Sequence, residues 1–77
     1  MSSLTRKALK GLDGNTKIEI EDTAKVLADE VLDSVEYTNR AADFGLGYAE
    51  MQAMILIVTA DLLLEEAYRI DKHLRKK

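Results

Sequence analysis

Catalysis and metal binding both need polar groups that converge, and the candidates here are few: His73 with Glu65, Glu66 and Asp71, and Asp61 inside an apolar stretch. A carboxylate–histidine set can ligate a metal or move a proton. Glu65, Glu66 and Asp71 do not stand in the Glu-x-x-His spacing with which helical bundles hold paired irons, and the single histidine reads as a solvated helix end. The absence of cysteine removes disulfides, thiolate zinc sites and cysteine nucleophiles. Gly45 and Gly47 punctuate helices and do not form a phosphate-cradling loop. No catalytic, metal-binding or cofactor-binding residue is assigned, so a non-enzymatic chain without a cofactor is expected. Asp61 shares a row with Met54, Ile57, Leu64 and Tyr68. It is either a buried carboxylate in need of a partner or the solvent edge of that row, and the pattern fits both.

Charge and hydropathy narrow the range of partners. A net charge of -3 gives no general attraction to nucleic acid. The basic group Lys72, Arg75, Lys76 and Lys77 is explained by the negative end of a helix. A helix-turn-helix across residues 44–54 would offer Met51, Met54 and Ile55 to base edges, which such side chains cannot read by hydrogen bonding. Residues 1–10 lack the apolar centre of a secretory leader. The apolar run 53–64 is interrupted by Thr59 and Asp61 and is shorter than the ~20 residues that span a bilayer. A cytoplasmic protein with no nucleic-acid or membrane partner is expected.

The elements that would position any surface follow from composition and period. Of 77 residues, 47% are hydrophobic and 32% charged, which is more apolar side chain than so short a chain can hide within itself. With no proline and four glycines, long helices are favoured and the fold class is all-α. Two parts are expected: an N-terminal segment, residues 1–21, and a helical hairpin, residues 22–77. In the first, Asp13-Gly14-Asn15 is a tight-turn signal, and the polar–apolar alternation of residues 16–21 suits a half-buried strand. Residues 5–12 fit either the partner strand of a short β-hairpin or one helical turn capped by Ser3.

The first helix is expected over residues 22–44, with Asp22 as N-cap and a face of Ala24, Ala28, Val31, Val35, Thr38 and Ala42. It stops at Phe44-Gly45-Leu46, where Gly45 takes a left-handed conformation and Leu46 folds back. The second helix, residues 48–75, carries a coiled-coil-like seam of Ala49, Ala53, Leu56, Ala60, Leu63, Ala67, Ile70 and Leu74 in alternating steps of four and three. A second apolar row follows Met51, Ile55, Val58 and Leu62. The first helix can cover only one of these faces. The expected interface is therefore Ala53, Leu56, Ala60, Leu63, Ala67, Ile70 and Leu74 with Ile55, Val58 and Leu62, joining copies into an oligomeric helical bundle, a dimer or a tetramer.

From residue 18 onward the order of features resembles the cell-division protein ZapA family. A turn and an alternating segment lead into a helix carrying Val26-Leu27-Ala28-Asp29-Glu30-Val31; a break follows, then a long helix whose apolar block runs into Thr59-Ala60-Asp61, similar to that family's Asn-x-Ala-Asp-Glu stretch. Val58 and Leu62 depart from the pattern, standing where the family tends to have Asn and an acidic residue. The resemblance implies a non-catalytic dimer or tetramer of hairpins that bridges filaments of a tubulin-like FtsZ protein. The alternative is a small regulatory or inhibitory protein, of phage or antitoxin type, that docks its apolar helix on another protein.

Overall fold

A computed structural model describes residues 3–72, with side chains from Leu4 onward. All the regular structure among them is helical. Helix α1 spans Ser3–Ala8, α2 spans Gly14–Thr38, a short 3-10 helix spans Ala41–Phe44, and α3 spans Tyr48–Ile70. The long helices α2 and α3 form a helical hairpin.

The N-terminal segment corrects the β-hairpin expectation. Residues 5–8 take the helical alternative as part of α1, and the chain turns at Gly11, whose φ is +86°. Residues 16–21 lie in the first turns of α2, which begins eight residues before the expected start at Asp22. The physical reason lies in Asp13. Its side chain accepts the Thr16 N–H at 2.8 Å, capping the helix, so Asp13-Gly14-Asn15 starts a helix where a tight turn was expected. An isolated two-stranded hairpin would leave its edges uncovered, whereas the helix satisfies its own backbone and gains the cap.

Helix α2 also ends earlier than expected. It stops at Thr38, whose hydroxyl donates back to the Ser34 carbonyl at 2.9 Å. The 3-10 helix that follows closes on Gly45 at φ +69°, with Gly45 N–H donating to the Ala42 carbonyl at 3.3 Å and Leu46 N–H to the Ala41 carbonyl at 3.0 Å. That pair of bonds is a Schellman closure, so the left-handed glycine is where the sequence placed it, on a shorter helix. Helix α3 starts at Tyr48 as expected, with Glu50 in its positive first turn. It stops at Ile70, short of the expected residue 75, with Asp71 in extended conformation. Leu74 and the other residues of the basic end past Lys72 lie outside the described residues.

Little of this chain is interior. Leu9, Val35 and Ala41 are the buried apolar residues among those described. The radius of gyration is 15.3 Å, against about 11.5 Å for a compact chain of this length. The accessible surface is 6480 Å², against about 4700 Å² for a compact monomer of this mass. Hydrogen bonds tie α2 to α3 close to the turn, and Val35 there is buried. Toward the other end of α2, no residue before Val31 is buried: Lys17 and Glu21 are half-buried and the rest are exposed.

Candidate interaction surface on α3

The turn end of the hairpin is fixed by one side chain. Asn39 donates from Nδ2 to the Tyr48 carbonyl and to Gln52 Oε1, both at 3.0 Å, and its Oδ1 accepts the Ala41 N–H at 2.9 Å. The Tyr48 hydroxyl returns to the Glu36 carbonyl at 3.3 Å. These bonds set the rotation of α3 about its own axis. The half-buried residues of its first half are Met51, Gln52, Ile55, Leu56 and Thr59, a stripe at helical spacing that turns toward α2 and the 3-10 helix. At 100° per residue this stripe lies roughly 110° round the helix from the Ala53–Ala60–Ala67 row.

The alanine row of the seam therefore faces largely away from α2, and the Leu56–Leu63–Ile70 row lies between it and the inner stripe. Leu56 is half-buried with the inner stripe, Ala67 is half-buried, and Ala53 and Ala60 are exposed. Leu63 is 59% exposed and Ile70 73%. In the second row Ile55 belongs to the inner stripe, while Val58 is exposed and Leu62 is 65% exposed. Leu74, the remaining member, lies outside the described residues. The residues thus divide into Leu56 and Ile55 inside, and Leu63, Ile70, Val58 and Leu62 outside.

A shallow apolar groove of about 600 Å³ runs beside the seam, lined by Leu4 of α1 and by Ile57, Ala60, Asp61, Leu63, Leu64 and Ala67 of α3. Here Asp61 is an exposed residue on the rim, the solvent-edge arrangement of its row. Arg69 pairs with Glu66 one turn before, its Nε 3.0 and 3.1 Å from the two carboxylate oxygens, and this pairing lowers the Glu66 pKa and raises that of Arg69. Both groups are exposed, so the pair orders the polar edge and adds little stability.

No group of three or more histidine or carboxylate side chains is placed to hold a metal ion among the described residues, and none of their helices is long and apolar enough to cross a membrane. Chemically, the surface offers apolar side chains at helical spacing with charges at its edges, which suits another helix. The sequence reading missed Asn39. Its only signal was a turn-favouring residue inside a segment taken as helix, and the bond from Ala41 N–H is the Asx turn such residues form. Compared with protein-family models, with curated proteins and with solved structures, the chain matches none.

Proposed function

We propose that the chain is a non-enzymatic protein–protein interaction module that self-associates, with α3 supplying much of the contact. The supporting observation is the apolar surface α3 keeps uncovered: Val58, Leu62, Leu63 and Ile70 are all exposed in one chain. Each such side chain gains about 1.5–3 kcal/mol on full burial, and a single hairpin leaves that gain unrealised. Copies that lay their seams together would complete a bundle core, with the alanine row allowing close approach.

The experiment is a light-scattering mass of the pure chain at micromolar concentration, repeated on Ala60→Leu and Glu66→Leu. The parent is expected at a multiple of the monomer mass. Ala60→Leu is expected to lower that mass, since overpacking a close seam costs about 1–3 kcal/mol per site. Glu66→Leu adds similar bulk outside the seam and should leave the mass unchanged. A monomeric parent refutes the reading; an Ala60→Leu protein of parental mass and melting temperature refutes the seam, because the added side chain then merely fills the open groove beside Leu4. The ZapA resemblance narrows the module's role to bridging filaments of a tubulin-like protein, and pelleting of the chain with such filaments tests that role.

A further inference from the structure

We infer that a second copy seats on the open half of α2, giving a two-fold dimer in which each α2 packs on its own α3 near the turn and on the other chain at its far end. This rests on the self-association proposed above and places it. Helix α2 carries one apolar row at three- and four-residue steps, Ile20, Ala24, Leu27, Val31 and Val35. Val35 is buried and Val31 half-buried, while Ile20, Ala24 and Leu27 are exposed. A shallow groove of about 360 Å³ lies over these last three, with Glu19 and Thr23 beside them. The row does not change character where its cover stops. In an antiparallel hairpin the first turns of α2 and the last turns of α3 lie at the same end, so this half-row and the exposed Leu63 and Ile70 are presented together.

Two further observations select a second copy as the occupant. The first is area. The chain exposes 6480 Å², which is about 1800 Å² beyond a compact monomer and more than the roughly 800 Å² per partner that a stable pair covers. The second is charge. Residues 3–12 carry Arg6, Lys7 and Lys10 and no acid, whereas in the open half of α2 Glu19 and Glu21 flank Ile20, with Lys17 and Lys25 one turn to either side of Glu21. When two hairpins overlap at their open ends, the basic α1 of one chain comes beside Glu19 and Glu21 of the other. The chain is thus complementary to itself across a two-fold axis.

The test uses the full chain and the dissociation constant from sedimentation. Leu27 and Val26 are neighbours of almost equal exposure, 55% and 59%, but Val26 lies on the far side of α2 among Asp22, Asp29 and Glu30. Leu27→Glu is expected to weaken self-association at least tenfold and Val26→Glu by less than about twofold, the difference between a covered and an uncovered apolar site. Circular dichroism keeps loss of helix apart from loss of association. A second arm mixes a chain bearing Arg6→Glu and Lys7→Glu with one bearing Glu19→Lys and Glu21→Lys, the two acids that flank Ile20. Each alone is expected to associate weakly and the mixture to form the heterodimer, because mixing relieves repulsion between chains and leaves repulsion within a chain untouched. A monomeric parent overturns the self-association itself. An oligomeric parent on which Leu27→Glu and Val26→Glu act alike, or a mixture with no heterodimer preference, overturns only the placement on α2.

Discussion

Gly45 holds φ +69° and ψ 26° because the chain reverses there while the carbonyls of Ala41 and Ala42 still need donors, which Leu46 and Gly45 supply. A Cβ at this position would meet no atom within 4 Å, so the cost of adding one is backbone strain. Gly45→Val is expected to lower stability by about 1 kcal/mol or more, and Gly45→Asn by less, since asparagine tolerates the left-handed region. Urea unfolding measures the difference, and a valine variant with the parent's midpoint would contradict it. This residue was legible from sequence because glycine followed by leucine after an apolar face is a local pattern. Asn39 was not, because its bonds reach Tyr48 and Gln52, nine and thirteen residues on, and no local pattern announces them.

At the scale of the element, the start of α2 depends on a titratable cap. The Thr16 backbone N–H, and then its hydroxyl, hold the Asp13 carboxyl below its usual pKa. A lowered folded-state pKa means that the cap's contribution is complete above the ordinary aspartate value of about 3.9 and is lost as pH falls through the lowered value. Asp13→Asn keeps an N-cap acceptor that does not titrate. On acidification below about pH 4 the parent should therefore lose helicity more steeply than Asp13→Asn, and superimposable circular dichroism titrations would exclude this role for the cap. The same residue explains why the N-terminal segment was misread. Aspartate followed by glycine and asparagine serves a tight turn and a helix start alike, and an alternation resting on Ile18 and Ile20 alone is too short to separate strand from helix. Helix α3 was legible in its start and its apolar rows. Its rotation was not, because the rows Gln52–Ile55–Thr59 and Ala53–Ala60–Ala67 are both helical stripes, and only the polar contacts at the turn decide which one faces α2.

For the molecule as a whole, stability and association are one property if the core is completed between chains. The melting temperature is then expected to rise with protein concentration, as it does whenever partner binding favours the folded state. A melting temperature constant over a hundredfold dilution would sink this expectation. The all-α class was legible from the apolar and charged fractions with the lack of proline, whereas the looseness of the single hairpin was not, since sequence period says which side chains share a face and nothing of how closely two faces meet. The scarcity of interior has a consequence for turnover. A lone copy whose buried apolar side chains are Leu9, Val35 and Ala41 has little to hold its backbone from a protease, whereas an assembled copy is shielded. Degradation would then remove surplus chains selectively, and the amount of the protein in a cell would track how much of it is assembled, not how much is synthesised.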